Sequence, residues 1–337
     1  MTDGIYTLAN DAVYHQLVAL LNSMEVNLGD RFPVWIIPYD DRLDKITAEI
    51  NRRKNVTLLE DREILHPWED FATQIWEIHP EAFSLWQSKG IKGIHRFGVH
   101  EKLSTFDERS PLSRFIFFDA DVLVLNRLDF IFQQLNRSDF VVYDFQHKHP
   151  AHVYNLRSER LFSLFPSERI QTEIFCAGCY ASKRGLFPQQ KRDWLLEQLK
   201  TGEAEILYPN APDQSILNYM TMRSGVSTYN FALSLPPEQR TGCCVTSPHF
   251  QQRDNLLYDD KGTRLTYLHY IGIPAGVFTR VCAGENLDFP YRDIFLHYRY
   301  LHEPEKKPQF TGKPKPYNQP PSLATKILSK LGFKSKS

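Results

Sequence analysis

The spacing of apolar and polar positions over the first sixty residues predicts strand, helix, strand, helix, strand. Gly4 to Leu8 is a β-prone run, Asn10 and Asp11 are cap-like, and Ala12 to Met24 carries apolar residues at helical spacing. Val34 to Ile37 repeats the strand pattern and ends in Pro38-Tyr39-Asp40-Asp41, Leu43 to Arg53 predicts a second helix, and Val56 to Leu59 a third strand. Such a βαβαβ opening implies an α/β protein with a mostly parallel sheet flanked by helices, which binds ligands at the carboxyl ends of its strands. His66 to Phe106 is Trp-rich and partly helical in pattern, and Arg114 to Leu125 is a strongly apolar stretch interrupted by two acids. Further strands are predicted at Val141 to Tyr143, Ile174 to Ala181 and Thr266 to Ile271, and helices at Trp194 to Leu199 and Asp213 to Met222.

From Glu303 onward the composition turns to Pro, Lys, Gln and Ser with no acid after Glu305, so the pattern predicts a folded domain over 1–302 and a mobile basic tail over 303–337. In that tail Ile327, Leu328 and Leu331 would share one helical face flanked by Lys326 and Lys330. A segment of this kind can rest weakly on an anionic membrane, and a solvated tail is the alternative.

Composition narrows the functional classes. With 337 residues, 42% of them hydrophobic, the chain can bury one large core. Lys+Arg and Asp+Glu are both 40, which gives no reason to expect nucleic acid as a partner. No leader pattern opens the chain and no run of about 18 apolar residues occurs, so a cytoplasmic protein is expected, at most peripheral at the inner face of the membrane. Five cysteines without a regular framework are expected as reduced thiols. A zinc site from Cys176, Cys179, Cys243 and Cys244 is an alternative, although one CxxC and an adjacent pair form a weak signature.

The chemistry concentrates at Asp119-Ala120-Asp121, where the strand Phe115 to Phe118 opens into a loop. Two carboxylates at a strand end can hold one divalent cation, and a cation there can neutralise a leaving diphosphate. Neighbouring segments extend the pattern: Ile5 to Tyr14, Lys102-Leu103, Phe117 to Leu125 with Asp129 to Phe132, Asp213-Gln-Ser-Ile-Leu-Asn218, and His269-Tyr-Ile-Gly272. In this order they resemble the motifs of the family 8 glycosyltransferases, the family of glycogenin and the lipooligosaccharide galactosyltransferases, over residues 4 to 280. The resemblance implies a GT-A fold, a nucleotide-sugar donor of the uridine diphosphate type, retention at the anomeric carbon, and Mn2+ or Mg2+ held by Asp119, Asp121 and His269. It also places Asn10 and Tyr14 at the base-binding turn, Lys102 near the phosphates and sugar, and Asp213 and Gln214 in the sugar pocket; Asp40, at the end of the second strand, is a further base or ribose candidate, and Thr7, Ala120 and Gly272 are further candidates for donor contacts. Asp213 would be the carboxylate beside the reacting carbon. Helix capping by Asn10 and Asp213, core packing of Tyr14, turn formation by Asp40 and a solvated Lys102 are the structural alternatives.

Two departures mark a distant branch. The family's Asn-Ser/Ala-Gly string is Cys176-Ala177-Gly178 here, and its Lys-Pro after His-x-x-Gly is replaced by Ala275-Gly276, with Arg280 as a nearby substitute for the phosphate contact. The acceptor, whether glycolipid, glycan or protein, would meet loops within 145–171 and 236–260. Two other classes fit the same acids: a haloacid-dehalogenase-type phosphatase with a nucleophilic aspartate, and a non-catalytic nucleotide-sugar-binding module.

Overall fold

The computed structural model describes residues 2–247 and 249–318. In chain order its strands are β1 (Asp3–Ala9), β2 (Val34–Pro38), β3 (Val56–Leu58), β4 (Arg114–Asp119), β5 (Val122–Val124), β6 (Phe140–Val142), β7 (Cys179–Lys183), β8 (Thr228–Asn230), β9 (Gln251–Arg253), β10 (Leu256–Tyr258), β11 (Tyr267–His269), β12 (Leu287–Asp288) and β13 (Lys315–Pro316). Seven of them form the main sheet in the order β3-β2-β1-β4-β7-β6-β8. The first four run parallel, and β7 pairs antiparallel with both β4 and β6.

Both faces of the sheet are covered, which is why its central strands are continuous apolar runs. Successive side chains of β4 alternate between two cores: Phe115 and Phe117 pack with Trp68, Trp76 and Phe106, while Ile116 and Phe118 pack with Leu17, Leu20 and Met24 of the helix Tyr14–Leu28. The chain winds from β1 outward to β2 and β3 and then returns to the other side of β1 with β4. The crevice between the carboxyl ends of β1 and β4 is therefore a topological switch point, and Leu8 of β1 lies in register with Asp119 of β4.

A third core, built on Tyr270, Phe278, Phe289 and Phe295, carries the C-terminal part of the chain. It presents β11 to β5 as an antiparallel pair with His269 opposite Val122. Part of the segment expected as tail joins this body, since Pro304–Lys306 is a 3-10 turn and β13 pairs with β12. The amphipathic segment from Ala324 to Ser337 lies outside the described residues. No helix among the described residues is long and apolar enough to cross a membrane.

The stretch predicted as a strand from Ile174 is corrected: only Cys179–Lys183 joins the sheet. Side chains satisfy the preceding backbone instead. Asn218 donates to the Phe175 carbonyl at 2.9 Å and accepts from its N–H at 2.9 Å, and Asp144 accepts from Cys176 N at 3.2 Å. An apolar sequence predicts burial there correctly but not the route of the chain.

Candidate active site

β4 ends at Asp119, and the two-residue turn Ala120-Asp121 leads from it into β5. Pairing of β5 with β11, reinforced by a hydrogen bond from Tyr270 N to Asp121 O at 2.9 Å, brings His269 to these acids. His269 Nε2 lies 3.3 Å from Asp121 Oδ1, and one ligand atom from each of Asp119, Asp121 and His269 falls within 4.8 Å of the others. Two carboxylate oxygens and one imidazole nitrogen are a donor set suited to a hard divalent cation such as Mn2+ or Mg2+. Without a cation, burial would disfavour the His269 cation, but the Asp121 charge outweighs it and holds the imidazole pKa well above its ordinary value.

Gly178 leaves the space for this cluster. Its carbonyl accepts from Asp119 N at 2.9 Å, and a Cβ at this position would lie 3.0 Å from Asp119 Oδ2 and 3.1 Å from His269 Nδ1. Gly178→Ala is therefore expected to displace the triad and weaken Mn2+ binding by roughly tenfold or more. Calorimetric titration of Mn2+ into the variant checks this, and unchanged affinity would remove the crowding argument.

Lys102 ties the triad to Asp213. The lysine is 1% exposed, and its Nζ donates to Asp119 Oδ1 at 3.0 Å, to Asp213 Oδ2 at 2.7 Å and to Ala177 O at 3.2 Å, so all three of its donors are used. Burial alone would lower its pKa, but Asp119 and then Asp213 outweigh that and hold the ammonium charged. The same ion pair overcomes burial at Asp213 and keeps its carboxyl below the usual range. Asp213 occupies the first turn of the helix Pro212–Arg223, whose cap residue is Ala211. Its Oδ2 is the oxygen bonded to Lys102. Gln214 beside it spans two loops, accepting from Ala177 N at 3.3 Å and donating to His152 O at 2.8 Å.

A cleft of about 530 Å³ opens at the switch point, with Asn10, Val13 and Gln16 on one wall, Asp119 and Asp121 at the strand end, Lys102 on the 3-10 helix Phe97–Phe106, and Gly272 to Pro274 with the start of the helix Ala275–Cys282 facing them. Asn10 donates to Asp40 Oδ2 at 2.8 Å and accepts from Ala12 N at 3.0 Å, so it both caps the first turn and fixes Asp40. Asp40 is further held by Arg42 Nη2 at 2.5 Å.

No protein-family profile matches the chain, and no curated protein matches it by sequence. Solved structures do. The bifunctional glycosyltransferase WbbM superimposes over 91% of this chain and 52% of its own with a TM-score of 0.54 at 13% identity. The fold is GT-A. The galactosyltransferase LgtC, solved with donor and acceptor sugar analogs, aligns over 83% of this chain and 94% of its own at TM-score 0.48 and 15% identity. Mouse xyloside xylosyltransferase 1 aligns over 68% and 85% at TM-score 0.44 and 11% identity. The chain spans about half of WbbM, 52% of its length, and at these identities the likeness concerns the fold.

Within the GT-A framework the structure gathers Asp119, Ala120, Asp121, His269, Lys102, Asp213 and Gln214 around one point and puts Asn10 and Gly272 on the wall of the same cleft, with Asp40 bonded to Asn10 but not itself lining it. It does not bring three others to the cleft wall. Tyr14 turns its hydroxyl to Glu49 Oε2 at 3.4 Å, Thr7 is buried beneath the wall, and Arg280 pairs with Glu285 on the surface. Among the described residues only the Asp-Asp-His group could hold a metal ion, and all five cysteines are free thiols. Cys176 faces the back of the site, with Sγ 4.0 Å from His269 Nδ1.

Two further residues at the site escaped the sequence reading. Asp144 is 2% exposed at the end of β6, and burial pushes its pKa up to about 7 against the hydrogen bonds from Gln146 N and Cys176 N. The strand-end acid that drew attention to Asp119 was also present in Val141-Val-Tyr-Asp144. Arg96 lies on the cleft wall in the left-handed backbone region, with φ 52°. A non-glycine residue is held there only when its surroundings fix it. No sequence signal announced it.

Proposed function

We propose that this chain is a metal-dependent glycosyltransferase that takes a sugar from a nucleoside diphosphate donor, of the uridine type, and passes it to an acceptor hydroxyl with retention at the anomeric carbon. The observation that carries this reading is the Asp119-Asp121-His269 group at a nucleotide-sized cleft, joined through buried Lys102 to Asp213. The gap beside Gly178 and the chemistry of the three ligands suit Mn2+ or Mg2+. Bound there, the cation would supply charge neutralisation to the departing diphosphate.

The chain's own residues supply the rest. Lys102 fixes Asp119 and Asp213 relative to each other, so that a sugar placed over the strand ends meets the Asp213 side of the site. Arg96 is an exposed guanidinium on the cleft wall with no ion pair among the described residues, which makes it, in place of Arg280, the cation available to the diphosphate. Gln214, bridging Ala177 and His152, sets the edge of the sugar pocket toward the loop Phe145 to Tyr154, where an acceptor would enter.

The phosphatase reading gains no support in this setting. Asp119 lies on the fourth strand, in contact with Lys102, and the only paired acids downstream, Asp259-Asp260, serve a turn in which Asp259 accepts from Lys261 N and Thr263 N. A thermal-shift series tests the proposal. Uridine diphosphate with Mn2+ is expected to raise the melting temperature, and excess chelator is expected to abolish the effect. A ligand at one hundred times its dissociation constant adds about 2.7 kcal/mol of stability. No shift with any nucleoside diphosphate would overturn the reading, and binding without slow donor hydrolysis would favour a non-catalytic module.

A further inference from the structure

Among the described residues, Gln16 is the buried polar side chain on the cleft wall whose hydrogen bonding is incomplete. It sits in the first turn of the helix Tyr14–Leu28, is 4% exposed, lines the cleft, and its Oε1 has no hydrogen-bond partner among the described residues. Other polar side chains in this part of the fold are already committed. Asn10 uses both ends of its amide, Asp40 is occupied by Asn10 and Arg42, and Tyr14 points to Glu49. Val13, three residues earlier and thus on the same helical face, offers only apolar surface to the cleft.

The next inward positions on this helix, Leu17 and Leu20, are core residues, so an aliphatic side chain at position 16 would fit the pattern. A buried amide left unpaired destabilises a fold, and its persistence points to a partner that arrives from the cleft. We infer that Gln16 is a specificity-determining contact for the nucleoside part of the donor, its amide oxygen accepting either an N–H of the base or a hydroxyl of the ribose. The diphosphate offers no donor hydrogen to that oxygen and has the strand-end cluster for its own partners. This inference rests on the donor reading given above.

The test uses the full chain with uridine diphosphate and Mn2+. Gln16→Leu keeps the side-chain volume and removes the unpaired amide, so the ligand-free variant is expected to melt at or above the wild-type temperature. It is nevertheless expected to bind uridine diphosphate about tenfold more weakly, and to raise KM for the donor with kcat unchanged, as loss of uniform binding requires. Three analogues of uridine diphosphate, one methylated at N3, one 2′-deoxy and one 3′-deoxy, separate the sources of the hydrogen. The analogue lacking the contacted group should bind wild type more weakly than uridine diphosphate does and should lose nothing further in Gln16→Leu. If wild type binds uridine diphosphate and the variant binds it equally well, or if all three analogues bind wild type as tightly as the parent, this inference fails and the donor reading stands. If wild type binds no nucleoside diphosphate, the donor reading falls and takes the inference with it.

Discussion

Replacing Asp119 or Asp121 with alanine is expected to lower metal-dependent donor turnover by roughly a hundred- to a thousandfold while leaving the protein folded. The loss follows from the donor set, because each variant leaves two of the three ligand atoms that now lie within 4.8 Å of one another. The fold should tolerate the change for reasons that differ between the two acids. In Asp119→Ala the Lys102 ammonium keeps its shorter bond, to Asp213 at 2.7 Å, and its bond to the Ala177 carbonyl, so no buried charge is stranded. In Asp121→Ala the imidazole of His269 loses the carboxylate that holds its pKa up, and it can lose its proton instead of remaining a buried cation. Asp119 is moreover 33% exposed at its side chain and Asp121 24%, so neither substitution opens a cavity in a core. Release of uridine diphosphate from a donor, followed with Mn2+ and with chelator, is the activity readout, and a circular-dichroism melt is the control. Full activity in both variants, or in excess chelator, would sink the metal mechanism.

How much of this was legible in the sequence depended on which kind of interaction fixed each residue. β4 stands out because both faces of this central strand are buried, which writes Phe115 to Phe118 as an uninterrupted apolar run ending in Asp119. Lys102 could be marked only through its resemblance to a family position. Its two carboxylate partners lie 17 and 111 residues away in the chain, and no local periodicity encodes such contacts. Tyr14 illustrates a smaller failure with a larger angle. One position along a helix turns a side chain by about 100°, so with Val13 on the cleft wall the tyrosine is carried round toward Glu49. The segment before β7 was misassigned because apolar composition reports burial, whereas the backbone there is satisfied by Asn218 and Asp144 and not by a ladder. Asn218 itself had been visible as the end of the Asp-Gln-x-x-Leu-Asn motif, but its grip on Phe175 belongs to the folded chain alone.

Lys102→Met should be the most damaging single change for stability and activity together. Methionine fills much of the same volume, so the effect isolates the charge. Asp213, 9% exposed, would lose the cation that now lies 2.7 Å from its carboxylate. Removing one partner of a buried ion pair costs about 3–5 kcal/mol, because the remaining charge stays desolvated. The pH dependence has a definite sign. In the wild type Lys102 lowers the folded-state pKa of Asp213, so the pair contributes stability at neutral pH that is lost as the pH falls through that lowered value. In the variant, burial loses its main opponent, with only the smaller effects of Arg96 and His100 left against it, and the pKa of Asp213 rises, so the variant is relieved when acid protonates the carboxyl. The gap in unfolding free energy between wild type and Lys102→Met is therefore expected to be widest near neutral pH and to narrow toward acid. Adding Asp213→Asn to Lys102→Met removes the stranded charge and should restore a large part of the lost stability, while donor turnover stays abolished because neither the tether nor the carboxylate is present. Urea melts of the two single variants and the double variant at neutral and mildly acidic pH make the comparison. Additive losses in the double variant, or a gap that does not change with pH, would show that Lys102 is held by packing alone and that the link between the cation cluster and Asp213 carries no energy.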